Sequence, residues 1–167
     1  MQSDTILIDI PDIVGRISET DVNIEESKLR YSVLTSQDQH TRSILGDKLY
    51  FDFIENFENS TLSPEYVELF PYIKNHLIAR SVERSLIPLT HQITNKGPQN
   101  RNSDYSINAG AQGMYKLIDL YKSDAEFYES RLWNFLKNNS DDYPLWEEPS
   151  DDINKSEPDS DYDLFMV

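Results

Sequence analysis

The chain has 167 residues, of which 38% are hydrophobic, and this suits one folded domain with extensions outside its core. Thirty acidic and 15 basic residues give a net charge of −15 without any cluster of Lys and Arg, which argues against direct binding to free DNA. Without Cys there are no disulfides, Cys-based zinc sites or thiol catalysis, and no run reaches the roughly 20 apolar residues of a membrane span.

The first predicted element is a short β-prone run at residues 5–10. The pattern leaves open whether it is one strand or an extended arm that lies across helices. Pro11 ends the run, and residues 12–20 are interpreted as a turn-rich connection or a short helix.

A long helix is predicted next, beginning near Asp21 or Asn23, either of which can cap it. Residues 35–43 are polar, so the pattern is typical of one long helix with a solvated middle. Gly46 predicts a C-terminal stop or a sharp junction.

Two further helices follow this junction. Apolar residues at helical spacing predict the first of them: Leu49, Tyr50, Phe53, Ile54 and Phe57. The second begins with a capping Ser63 followed by Pro64 and runs to Leu86. Pro71 is expected to kink or restart it, and Pro88 limits its extent.

Residues 94–113 form the longest stretch without helical pattern and predict a turn-rich loop or a short β-hairpin. Alternation at Tyr105 and Ile107 permits one hairpin strand. Lys96 and Arg101 could touch phosphate or the acids of a neighbour, although ordinary solvation is the simpler interpretation. These four residues are the candidate loop contacts.

The clearest element is a helix of about six turns from Met114 to Leu136, with an apolar face and a charged opposite face. Asn138 and Asn139 end it.

An aromatic-proline segment at residues 143–146 follows the last helix, and the composition then changes. Residues 147–163 hold eight acids against one base, Lys155, and predict a disordered acidic tail. Four apolar residues end the chain, here called the apolar tip: Leu164, Phe165, Met166 and Val167. The tail is interpreted as a solubilising end, a nucleic-acid mimic, or a tether whose tip docks in a partner's groove. The third is favoured because an exposed apolar tip lowers solubility unless it docks.

The sequence contains no recognisable catalytic, metal or cofactor motif. His40, His76 and His91 lack partners at metal-ligand spacing and are interpreted as structural. The stretch 110–113 could cradle an anion before a helix, but it lacks the Lys of a nucleotide loop and is better explained as a turn. We therefore expect no enzyme activity, no metal and no cofactor.

The order of these features resembles the head-tail connector proteins of tailed bacteriophages, and most closely the ring proteins of crAss-like phages. The features are the run Ile44-Leu45-Gly46-Asp47-Lys48-Leu49-Tyr50, the Pro-started helix to Leu86, the loop around Gly110, the helix to Leu136, and Tyr143-Pro144-Leu145. The resemblance covers roughly residues 5–146 and leaves the tail outside.

This resemblance implies a homo-oligomeric ring of about twelve copies with heterologous contacts, placed beneath the portal of the virion. It implies assembly in the host cytoplasm and contacts with the portal protein and with other ring or tail proteins. DNA would be passing cargo, and no membrane is involved.

We therefore expect an all-α bundle of four or five helices with a turn-rich loop or short β-hairpin and a disordered acidic tail. The predicted divisions are an N-terminal arm at 1–20, a helical connector domain at 21–146 and the tail at 147–167. Candidate partner contacts are Tyr143, Leu145, Trp146 and the four residues of the apolar tip. The alternative function is a small acidic regulatory or inhibitor protein that binds a host or viral enzyme.

Overall fold

The computed structural model describes residues 5–17, 26–94, 97–100 and 111–148. These residues form an all-α bundle, as predicted, with one short β-hairpin. The five α-helices within them are α1 Ile10–Ile17, α2 Glu26–Ser36, α3 Arg42–Glu58, α4 Pro64–Thr90 and α5 Ala111–Asn138. None of the described helices is long and apolar enough to cross a membrane.

The N-terminal residues 5–9 form an arm that bends at Leu7 and Ile8 and does not pair as a strand with any described residue. Leu7 and Ile8 are buried. Gln37 holds the arm, because its Oε1 accepts the N–H of Leu7 at 3.2 Å and its Nε2 donates to the Thr5 carbonyl at 2.9 Å. Pro11 does not end an element but lies in the first turn of α1, where its missing N–H costs no helical hydrogen bond. Of the predicted alternatives, the structure therefore confirms an arm rather than a strand, and a short helix rather than a turn-rich connection.

The predicted solvated middle of the long helix is wrong. After α2 the backbone makes a π-helical turn at Gln37–Thr41, which leads directly into α3. Ser36, Gln37 and Thr41 are buried, because the bundle packs α4 against this side of the chain. Gly46 forms the predicted sharp junction, with a φ of 72° that glycine adopts without the steric cost of a Cβ.

Helix α4 starts as its capping residues predict and runs past both internal prolines. The N–H of Tyr66 donates to Ser63 Oγ at 3.3 Å, which satisfies one of the free donors of the first turn. Pro71 lies inside the helix, and Pro88 does not stop it before Thr90.

The hairpin follows α4 immediately, so part of the predicted non-helical stretch is β-structure. Strand β1 His91–Thr94 pairs antiparallel with β2 Gly97–Asn100, with His91 opposite Asn100 and Thr94 opposite Gly97. The strand expected around Tyr105 and Ile107 lies outside the described residues. Helix α5 begins at Ala111, three residues before the predicted Met114.

The core forms around α4, which packs against α1, α2 and α5. The apolar face predicted for α5 is confirmed at Ala125, Leu132 and Leu136, all fully buried. Members from the other elements include Leu7, Ile13, Leu29, Val33, Leu45, Leu49, Phe53, Leu69, Ile73 and Leu77.

Candidate functional site

The aromatic-proline segment after α5 is fastened to the bundle. The hydroxyl of Tyr143 donates to the Glu65 carbonyl at 2.8 Å, and burial raises the pKa of Tyr143 to about 12. The indole N–H of Trp146 donates to the Ile44 carbonyl at 2.9 Å. Both side chains are buried and hydrogen-bonded within the chain. Of the three candidate partner contacts in this segment, Leu145 is the one that a partner could reach, because it is 37% exposed.

The remaining candidate contacts lie outside the described residues, and their roles stay predictions. They are Lys96, Arg101, Tyr105, Ile107, Leu164, Phe165, Met166 and Val167.

The outer side of α5 carries exposed apolar side chains that the sequence pattern did not single out. Leu120 and Phe127 are 58% and 57% exposed. They are seven residues apart, which is about two helical turns, so they form one outer stripe away from the core face. The seven-residue spacing of Leu120 and Phe127 is the sequence feature that indicates this stripe. Other exposed large apolar side chains are Tyr31, Phe51, Val67 and Tyr115.

An aromatic groove of about 220 Å³ lies between α4 and α5 beside this stripe. It is lined by Pro71, Tyr72, Asn75, Tyr128 and Arg131. The Tyr72 ring stacks on Phe135 with centroids 4.1 Å apart, which fixes one wall. The Arg131 guanidinium carbon lies 5.9 Å from the Tyr72 ring centroid and 5.8 Å from that of Phe127. Arg131 makes no ion pair with any other described residue, so its charge is available to a ligand.

A second groove, the acidic groove, lies along a different part of α5 and has the opposite electrostatic character. Its volume is about 440 Å³. Its lining holds two carboxylates and no cation: Ile44, Glu126, Glu129, Ser130, Trp133 and Asn134. An acidic ligand is therefore disfavoured there and favoured in the aromatic groove.

A layer of buried polar side chains lies inside the bundle on α2, the π-turn and α4. Ser36, Thr41, His76 and Ser81 are buried, and their polar side-chain atoms have no hydrogen-bond partner among the described residues. Burial, then the charges of Arg80 and His40, lowers the pKa of His76 to about 3. His76 is therefore neutral and enclosed, and it cannot reach a substrate in this conformation. No group of three acidic or histidine side chains in the described ranges could hold a metal ion.

A charge network next to this layer joins α4 to α5. Arg80, 8% exposed, donates to Glu83 at 2.7 Å within α4. It also donates to Glu129 of α5 through Nε at 3.1 Å and through a second nitrogen. These bonds compensate the buried guanidinium and fix the two helices relative to each other.

Replacing Arg80 with alanine should lower the free energy of unfolding by about 2–3 kcal/mol, because two carboxylates lose their shared cation. We expect less than the ~3–5 kcal/mol of a fully buried pair, since Glu129 remains partly solvated. Arg42→Ala is the matched control: Arg42 also bridges two acids, Asp38 and Asp47, but its side chain is much more exposed than that of Arg80, so this variant should cost under about 1 kcal/mol. Urea unfolding followed by circular dichroism measures both. Equal costs would contradict a structural role for the Arg80 network.

Comparison with known proteins identifies a family. No curated protein and no solved structure matches the chain. A family model matches residues 42–154, about two thirds of the chain, and covers α3, α4, the hairpin, α5 and the segment that contains Tyr143 and Trp146. The arm, α1, α2 and the apolar tip lie outside the matched range. The chain therefore belongs to a family of unknown function (DUF6712).

Proposed function

We propose that this chain is a structural virion protein that forms a ring between the portal and the tail of a bacteriophage. The observation that carries the proposal is the outer stripe of α5, where Leu120 and Phe127 are more than half exposed. Apolar side chains repeated along one helix face, beside a groove, are typical of a surface that another protein covers.

The net charge of −15 supports the proposed role in DNA passage. An acidic wall repels phosphates, so DNA can slide through a ring without binding to it. The resemblance of residues 5–146 to phage connector proteins supports the same role. In this proposal the ring docks on the portal protein, seals the passage and recruits the next tail component. It assembles in the host cytoplasm and remains at the portal vertex of the virion.

Native mass spectrometry of the full chain, alone and with the portal protein of the same virus, tests this proposal. We expect a ring of many copies in one of the two conditions. The double variant L120D/F127D should lower ring formation at least tenfold, because it places charges in the interface. The matched control S123D/N138D adds the same number of charges at exposed polar positions of α5 and should assemble normally.

A chain that stays monomeric in both conditions contradicts the connector proposal. If such a monomer formed a one-to-one complex with a host or viral enzyme, the acidic regulatory protein would be the better explanation.

A further inference from the structure

The last described residues of the chain, Glu147 and Glu148, are held at a defined place on the bundle. Glu147 pairs with Lys48 of α3, and Glu148 pairs with Lys137 at the end of α5 at 2.9 Å. Residues 149–167 follow this point, and the apolar tip is the last part of them.

The aromatic groove is within reach of that tip on the same chain. Arg131 precedes Lys137 by six residues, which corresponds to about 9 Å along the helix. Fifteen residues separate Glu148 from Leu164, and an extended chain of that length spans about 50 Å. The segment can therefore cross α5 and place the tip in the groove without strain.

The groove has the size and the chemistry that this segment needs. Its volume of about 220 Å³ is below the ~300–1,000 Å³ of a typical small-molecule site, and it suits one or two apolar side chains. Its walls include the rings of Tyr72 and Tyr128, and its rim holds Arg131, which forms no ion pair within the part of the chain that the structure describes. A segment in which apolar side chains follow an acid, as in Asp163-Leu164-Phe165, complements both features.

We propose that Leu164 and Phe165 occupy the aromatic groove of their own chain, with the carboxylate of Asp163 paired to Arg131. The tether makes this docking intramolecular, at an effective concentration in the millimolar range. The acidic groove is not a competing site, because Glu126 repels the tail and no cation lines that groove to pair with Asp163. The docked tip covers the groove in the free chain, so a partner that binds there must displace it. This inference does not depend on ring formation.

Methyl NMR of the full chain provides the test, because the sequence has only three methionines and Met166 lies in the tip. The chain is labelled with methyl-¹³C methionine, and the substitution M166L assigns the signal. In the docked chain the Met166 methyl lies near the aromatic rings of the groove, so ring currents should displace its signal from the random-coil position. The displacement should be the same at low and high protein concentration.

Charge reversal tests the ion pair. R131E and D163K should each return the Met166 signal to the random-coil position, and the double variant R131E/D163K should recover at least half of the displacement. K116E is the matched control, because it reverses an exposed charge on the same helix away from the groove and should leave the signal unchanged.

Three results would overturn the proposal. The first is a Met166 signal at the random-coil position in the unmodified chain. The second is a displaced signal that R131E does not change. The third is a displacement that appears only as the concentration and the measured mass increase together, which would place the tip on a second copy. Because Arg131 and Lys116 are exposed, their substitution should leave the core intact, and circular dichroism verifies this for each variant.

Discussion

Replacing Trp146 with alanine should lower the free energy of unfolding by about 3–5 kcal/mol, the range for truncation of a buried large aromatic side chain. Trp146 is 9% exposed, and its indole N–H donates to the carbonyl of Ile44. Ile44 lies two residues before Gly46, where the backbone leaves the helical conformation. The variant therefore leaves a cavity and also removes the donor that satisfies a carbonyl beside the kink.

Leu145→Ala is the control for this prediction, because the neighbouring side chain has the opposite environment. Leu145 is 37% exposed, so its truncation should change stability by less than about 1 kcal/mol. Urea unfolding followed by far-ultraviolet circular dichroism compares the two without relying on tryptophan fluorescence. If W146A were as stable as L145A, Trp146 would not anchor the C-terminal segment to α3.

Local sequence patterns were sufficient to predict those elements whose formation depends mainly on neighbouring residues. The buried face of α5 follows from apolar spacing, and Leu132 and Leu136 lie where that spacing places them. Ser63 caps α4 because a serine before Pro64 can satisfy an N–H of the first turn. Gly46 makes the junction because a positive φ favours glycine.

Contacts between distant residues explain what the sequence could not predict. Residues 35–43 are polar, so their sequence predicts exposure to solvent. Gln37 is nevertheless buried, and its side chain donates to the carbonyl of Thr5 in the arm, 32 residues earlier in the chain. Trp146 binds the carbonyl of Ile44, 102 residues away, and neither residue carries a local signal for this pair. Polar character therefore gave the wrong burial at Gln37, whose side chain is satisfied by tertiary partners, and also at Ser36 and Thr41, which are buried by helix packing alone.

The candidate surfaces were only partly predictable for the same reason. The aromatic-proline segment indicated Leu145 as a candidate partner contact, and its side chain is exposed. The aromatic groove combines Tyr72 of α4 with Arg131 of α5, and only the packing of the two helices brings these residues together. The outer stripe of Leu120 and Phe127 could have been found from its seven-residue spacing outside the core pattern.

His76 makes the fold sensitive to mild acid. Burial, then the charges of Arg80 on the same helix and His40 on the π-turn, lowers its pKa to about 3 from an ordinary value of 6.5. At pH 7.5 the side chain is almost entirely neutral in both the folded and the unfolded chain. As the pH falls from 6.5 toward 3, the unfolded chain takes up a proton that the folded chain excludes, so stability is progressively lost. At pH 5 this loss should be about 2 kcal/mol relative to pH 7.5.

The substitution His76→Leu should remove this loss, because leucine fills similar space without a titrating group. At pH 7.5 the variant should be at least as stable as the unmodified chain, since both nitrogens of His76 are buried without a hydrogen-bond partner among the described residues. Urea unfolding at pH 7.5 and pH 5 measures the effect above the range where the lowered carboxyl pKa values of Asp47 and Glu65 contribute. His40→Gln is the control: burial also lowers the pKa of His40, but this variant keeps His76 and should keep the larger part of the acid loss. An unchanged pH dependence in H76L would show that another group excludes the proton, and a large loss of stability at pH 7.5 would mean that the His76 nitrogens have a partner in the folded chain.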